Sequence, residues 1–418
     1  MGTRVEVSKR LRLDYRMGSK AQKSAVLDQF CAATGLSRPT ARRYLTSTTI
    51  GVKNVVRMDR RRHKPTKYSK NAQRQLIRVW KMMGTACGKY MVAVMEQWII
   101  ALEAHSELVV GKNGWNLGVR DQLLQMSGAT IDRYLKDERD RMSLKGISTT
   151  KPGALLRNSI TVRKAGDEVE AEPGFFETDT VAHCGPTLKG EFARTLTLTD
   201  VHIGWVHLIG VRNNARVHIL GALRAAATAI PYEITGLDCD NGSEFINHEV
   251  IQWAADKEIY FTRSRPYKKN DQATVESKNN HAVRRYGFHY RYDTPEELEI
   301  LNHLWKVVCL KLNFFTATKK PIGWTQNASG KRKRIWDAPT TPYQRLRSSE
   351  VLSEPQLNEL NELYQGLNPA DLTRQILTYQ SRLIALAKEK TMVLTTQVEQ
   401  TQQARTVRLG NSFKPQAS

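Results

Sequence analysis

Three short stretches, each setting acidic residues on or beside an apolar run, constrain this chain more than any other feature. They are Phe176-Glu177-Thr178-Asp179-Thr180, Leu237-Asp238-Cys239-Asp240-Asn241-Gly242 and Asn270-Asp271-Gln272-Ala273-Thr274-Val275-Glu276. The first two sit in short runs rich in Phe, Thr, Ile and Leu, the composition of a strand. Residues two apart on a strand share a face, so Glu177 with Asp179, and Asp238 with Asp240, each present two carboxylates on one side. Asn241-Gly242 is a turn signal that ends the second strand at a mouth. The third stretch leads into a helix expected over 270–286. There Val275, Ala282 and Tyr286 form the stripe facing a sheet, and Glu276 sits about 100° round from Val275.

A single acid at a strand end is a common solvated turn residue. Several gathered together repel one another and raise one another's pKa. Divalent cations remove that conflict, and Mg²⁺ favours one or two carboxylates together with substrate phosphate oxygens. Two such ions, roughly 3.5–4 Å apart, activate an attacking oxygen and stabilise a leaving one, which is phosphodiester chemistry.

Thirty-five residues separate Asp240 from Glu276. The blocks Asp240-Asn241-Gly242-Ser243-Glu244-Phe245 and Lys268-Lys269-Asn270-Asp271-Gln272-Ala273-Thr274-Val275-Glu276-Ser277-Lys278-Asn279 resemble the signature blocks of the D,D-35-E (DDE) transposase and retroviral-type integrase superfamily. The resemblance covers about residues 172–325 and is nearest in kind to bacterial insertion-sequence transposases. It implies an α/β ribonuclease H-like catalytic core, a mixed sheet with flanking helices. It also implies Asp179, Asp240 and Glu276 as the catalytic acids, holding two Mg²⁺ (or Mn²⁺) ions. Asp238, Asn241 and Gly242 are expected to support those acids. Glu177 and Glu244 are rival ligands ranked lower, because the family blocks place the metal acids elsewhere. Asp200 reads as a turn residue. His183, beside Cys184 but with no second pair to answer it, reads as a packed or supporting histidine rather than a zinc ligand. Strands expected at 175–183, 193–200 and 205–211, a helix at 215–229, a strand at 233–240, a helix at 248–258 and a strand at 259–263 follow the order of such a core. Residues 153–173, polar and without periodicity, read as a linker.

Ahead of the core, residues 25–45 read as two helices around Gly35, with Ser37 capping the second. That second helix would bury Ala41, Tyr44 and Leu45 and turn Arg38, Thr40, Arg42 and Arg43 outward, the layout of a helix-turn-helix entering a DNA major groove. The pattern Ser37-x-x-Thr40-x-x-Arg43-Tyr44-Leu45 recurs as Ser127-x-x-Thr130-x-x-Arg133-Tyr134-Leu135, which makes Thr130 and Arg133 the corresponding outward residues. Between the copies, Arg60, Arg61, Arg62 and Lys64 belong to a basic, proline-broken arm suited to phosphates or a minor groove. Residues 71–105 form two helices around Gly84 and Gly88, with their Met and Trp side chains as core. Lys278 and Arg284, on the helix of Glu276, either hold phosphates or form a solvated face.

Charge supports a polyanionic partner. The formal net charge is +23, and residues 1–70 carry 18 Lys and Arg against 4 Asp and Glu. A field of that sign attracts double-stranded DNA, whereas no amphipathic anchor points to a membrane. The N-terminus has no apolar signal core, and the five cysteines are scattered, so a cytoplasmic, nucleoid-associated protein with reduced thiols is expected. The expected order is thus a helix-turn-helix at 1–56, a basic arm at 57–70 and a second helical, helix-turn-helix module at 71–150. The core follows at 172–325, then a basic linker and mostly helical tail at 326–418, where 372–386 form a helical seam and 331–334 a basic run. The expected function is a DNA transposase that nicks 3′ ends and transfers strands, acting on element ends and target DNA as a homo-oligomer, with a helper protein left open. The alternatives are a domesticated, inactive DNA-binding regulator and a ribonuclease H-like nuclease.

Overall fold

Ser19 and Gln22 make a reciprocal capping box, the Ser19 hydroxyl accepting from the Gln22 amide and the Gln22 side chain from the Ser19 amide. Such a box starts a helix sharply, and it begins α2 (Lys20–Thr34) in a computed structural model of the chain. The structure describes residues 2–46, 67–142, 161–163, 172–240, 242–264, 275, 278–326 and 332–411. They fall into two units, Met1–Lys67 and Tyr68–Ser418.

In the first unit, Gly35 adopts φ 67° and closes α2, a left-handed conformation that glycine takes without steric cost. The next helix, α3 (Arg38–Thr46), buries Ala41 and Leu45 with Tyr44 partly covered, while Arg42 and Arg43 are exposed. A further helix, α1 (Gly2–Met17), supplies Leu11 and Tyr15 to the same small core. The reading of residues 25–45 did not include it, because its apolar residues are sparse among charges.

In the second unit, α4 (Lys70–Met82), α5 (Gly88–Ala104), α6 (Leu117–Leu124) and α7 (Gly128–Met142) form a helical module. Met91, Met95, Trp80 and Trp98 are buried in it. The repeat has a geometric counterpart. The Ser37 hydroxyl lies 3.1 Å from that of Thr40 and the Ser127 hydroxyl 3.1 Å from that of Thr130. Ile131 and Leu135 are buried where Ala41 and Leu45 are in the first copy.

The core sheet has strands β1 (Thr161–Arg163), β2 (Phe175–Ala182), β3 (Arg194–Asp200), β4 (Val206–Val211), β5 (Gly236–Cys239) and β6 (Tyr260–Ser264) in the order β1-β6-β5-β2-β3-β4. The pairs β2–β3 and β3–β4 are antiparallel, and β2–β5, β5–β6 and β1–β6 are parallel. Helices α8 (Arg216–Ala229) and α9 (His248–Asp256) link them. This is the ribonuclease H-like mixed sheet. The strand β1 falls inside the stretch read as a linker. Only three residues long, it is too short to show periodicity, but Thr161 and Val162 are β-branched and suit an edge.

The opposite edge, β4, is closed by side chains of α10 (Pro295–Phe315). Asn313 donates to the Val206 carbonyl and accepts from its amide, both at 2.8 Å, and Asn302 does the same for Gly210. The thiol of Cys309 accepts from the Leu208 amide. A free strand edge would otherwise present unpaired backbone groups.

The same helix ties the helical module to the core. Gln97 and Trp98 of α5 donate to the Phe314 and Phe315 carbonyls at the end of α10. In return Lys311 donates to the Met82 carbonyl at the end of α4 and to Thr373. Beyond α10 lie a hairpin of β7 (Pro321–Gln326) and β8 (Arg332–Trp336), then α11 (Pro342–Arg347), α12 (Glu354–Gly366) and α13 (Pro369–Asn411). The hairpin takes in most of the basic run at 331–334, a stretch that the sequence places in a linker. The seam on α13 runs through Leu372, Ile376, Leu383 and Ala387, whereas Leu386 is exposed. Among the described residues no helix is long and apolar enough to cross a membrane.

Candidate active site

The parallel pairing of β2 with β5 aligns Glu177 with Asp238 and Thr178 with Cys239. One step further, at the C-terminal end of β5, Asp179 and Asp240 come side by side. The four acids form two rungs of one ladder, and the rungs have different fates.

The inner rung is closed off. Glu177 is only 4 % exposed, and its Oε2 accepts the Val275 amide at 2.9 Å. Asp238 is fully buried and accepts the Thr262 hydroxyl at 2.7 Å.

The outer rung is half-buried. Asp179 Oδ1 accepts its neighbour's amide, from Thr180, at 2.7 Å, and Oδ2 accepts the Asn279 side-chain amide at 2.6 Å. Asp240 Oδ1 accepts the Gly242 amide at 2.8 Å. A side chain at Gly242 would meet the carboxylates of Glu244 and Asp240 at 2.5 and 2.8 Å, so those carboxylates would have to shift to admit one. Burial, and then the charge of Asp240, push the Asp179 carboxyl up to about 7. Burial pushes Asp240 up to about 6; the Gly242 amide counters this and Glu244 adds to it. Glu244 accepts the Thr180 hydroxyl at 3.2 Å and lies 3.7 Å from Arg194, whose Nη1 also donates to Thr180.

Two hard oxygen donors with raised proton affinity, half-buried within β2 and just past the end of β5, fit a divalent Mg²⁺ or Mn²⁺ ion, which would relieve both burial and repulsion. Among the described residues no three His, Cys, Asp or Glu side chains gather as a metal site. Glu276 lies outside the described residues, as do Asn241 and the arm residues Arg60, Arg61, Arg62 and Lys64. The neighbours of Glu276 are described. Val275 is buried, and Asn279 opens a π-helical turn, Asn279–Arg284, that buries Ala282 and Val283.

The proposed DNA-contacting residues divide by environment. Arg42, Arg43 and Arg133 are exposed, and Thr40 and Thr130 are partly so. Arg38 is ion-paired with Asp28 and donates to Ser24. Lys278 turns to the Gly204 carbonyl at 3.3 Å, and burial brings its ammonium down to about 8. Arg284 donates to the Ala182 carbonyl. Asp200 accepts the Gly174 and Ile203 amides and the Tyr232 hydroxyl, a buried loop anchor. His183 is packed between Tyr292 and Trp305.

The sequence alone assigns no role to Asn279 or Arg194. Helical spacing offered a signal for Asn279, three residues beyond Glu276. None existed for Arg194, which reaches the site only through the β2–β3 register that pairs it with Ala182.

Residues 170–269 match the family model described as the integrase core domain, a span that holds Asp179 and Asp240 and stops short of Glu276. The chain belongs to the superfamily of DDE transposases and retroviral-type integrases, whose core is of the polynucleotidyl-transferase kind. An uncharacterized protein, y4rM of Sinorhizobium fredii (strain NBRC 101917 / NGR234), is 33 % identical over 322 residues, 77 % of this chain and 88 % of that protein. Among solved structures, the catalytic core domain of BIV integrase is 16 % identical with a TM-score of 0.30, covering 42 % of this chain and 95 % of its own. The HTLV-2 integrase catalytic core domain, in complex with magnesium in a dimeric form, is 15 % identical with a TM-score of 0.27, covering 38 % and 94 %.

Proposed function

We propose that the chain is a DNA transposase that nicks the 3′ ends of its element and joins them to target DNA. In this reading Asp179, Asp240 and Glu276 bind two divalent ions. The observation that carries it is the outer rung itself, two carboxylates side by side, one within β2 and one just past the end of β5, with Asn279 bonded to Asp179. Bound ions would supply activation of the attacking oxygen and stabilisation of the leaving one during in-line displacement. The protein's own part is placement. The Thr180 and Asn279 amides hold the two oxygens of Asp179, and the Gly242 amide holds one oxygen of Asp240. Arg194 and Thr180 hold Glu244 beside the pair. The exposed residues of α3 and α7, together with the basic arm, would bind element ends, and synapsis of two ends calls for more than one copy.

Asp179→Asn, Asp240→Asn and Glu276→Gln should each lower nicking of end DNA in Mg²⁺ by roughly a thousandfold or more, because the three act as a unit. Binding to the ends should change less than about threefold, since it rests on phosphate and base contacts elsewhere. An Asp240→Asn protein that still nicks at the wild-type rate would remove the assignment. A wild-type protein that binds ends and never nicks, with Mg²⁺ or Mn²⁺, would make it a regulator.

A further inference from the structure

Glu177 shares a strand face with Asp179 and is the more deeply buried of the two. A carboxylate withdrawn from water is costly unless other groups satisfy it. Here Oε2 receives the Val275 amide at 2.9 Å, a charge-assisted bond of the stronger kind. Val275 is the residue before Glu276, and its side chain is buried. Four positions on, the Asn279 side chain bonds to Asp179. The segment is thus fastened twice to one strand, at positions four residues apart, and Glu276 lies in sequence between the two fastenings.

We propose that Glu177 is a positioning residue, whose grip on the Val275 amide fixes the segment carrying Glu276 against β2, beside Asp179 and Asp240. The inference rests on the transposase reading for its consequence, but the grip is testable without catalysis. It assigns Glu177 a task distinct from the ligand role that its face-sharing with Asp179 first suggested. On the neighbouring strand Asp238 is likewise engaged, by Thr262, so the inner rung serves as framework.

The full-length protein is compared with Glu177→Ala, which removes the acceptor, and Glu177→Gln, which keeps a carbonyl oxygen for the amide. Amide hydrogen exchange is followed in peptides spanning 275–287 and, as an internal control, in β3 and β5. The alanine variant should exchange roughly tenfold or more faster over 275–287 with β3 and β5 unchanged, and glutamine should restore most of the protection. In parallel, nicking by the alanine variant should fall roughly ten- to a hundredfold in kcat, with KM for end DNA held within about threefold.

Unchanged exchange over 275–287 in Glu177→Ala overturns the proposal, as does a glutamine variant as labile as alanine. Loss of protection throughout the sheet also overturns it, since that marks a merely structural acid. If exchange responds as expected and the wild-type protein does not nick, the positioning stands and the transposase reading falls.

Discussion

His183 is placed by its surroundings more than by its chemistry. Its Nε2 shares a hydrogen bond with the Thr195 hydroxyl at 2.7 Å, and Trp305 donates to the same oxygen at 2.9 Å. Burial first, then the charges of Arg284 and His289, bring the imidazole down to about 3. The folded protein therefore refuses a proton that the unfolded chain accepts below the ordinary value of 6.5. Stability from this site is present above pH 6.5 and is lost as pH falls from there towards 3, by about 2 kcal/mol on reaching pH 5. A His183→Gln protein should be less stable at pH 7, yet should lose less on moving to pH 5 than the wild type does. Urea melts at the two pH values decide this, and equal losses would show that the imidazole does not govern the acid limb. The sequence had reached a packed or supporting histidine by elimination, because no second metal pair answered His183-Cys184. Its partners come from β3 and α10, over a hundred residues away in the case of Trp305, and no local pattern announces them.

At the scale of elements, alternation and helical spacing carried most of the core. Each expected strand and helix between 175 and 263 has its counterpart within a few residues, because β3 and β5, buried on both faces, read as short runs rich in Leu, Thr and Ile, and α8 and α9 show helical spacing. Elements whose stability comes from a neighbour were harder to see. The hairpin β7–β8 contains Pro321 and Gly323, which argue against a strand when read locally. Nor does the pattern of α10 reveal why it carries Asn302 and Asn313 at otherwise apolar positions. Each amide stands in for a missing strand beside β4, giving and taking a hydrogen bond as a backbone would. Asn313 is buried, so Asn313→Leu should strand one amide and one carbonyl at once, at a cost of roughly 2–5 kcal/mol. The half-exposed Asn302 should cost less on the same change, since water can reach Gly210. Chemical denaturation of the two variants tests the order, and an Asn313→Leu protein as stable as the wild type would refute edge closure by this helix.

At the scale of the molecule, the charge and the repeat pull in the same direction. The sequence showed the repeat as matching letters; the structure adds that Ser37 with Thr40, and Ser127 with Thr130, make the same hydroxyl contact in units with separate cores. What the sequence lacked was the set of local partners of the outward arginines. Arg38, though exposed, is paired with Asp28 and Ser24, and Arg133 donates to Thr130, while Arg42 and Arg43 are exposed. If both units read one element end, each contributes to affinity through the effective concentration that the other creates. Replacing Arg42 and Arg43 by alanine should weaken end binding by roughly tenfold or more, and erase one segment of the footprint while keeping the other. Arg133→Ala should weaken binding less and erase the complementary segment, and Arg38→Ala should leave the base contacts in place. Because phosphates dominate such binding, affinity should fall steeply as salt rises, with a shallower slope for the double variant. Footprinting of the full-length proteins on end DNA separates these outcomes. Loss of the whole footprint from either replacement would mean that the two units do not read independently. A footprint unmoved by both would place end recognition on some other surface of the chain.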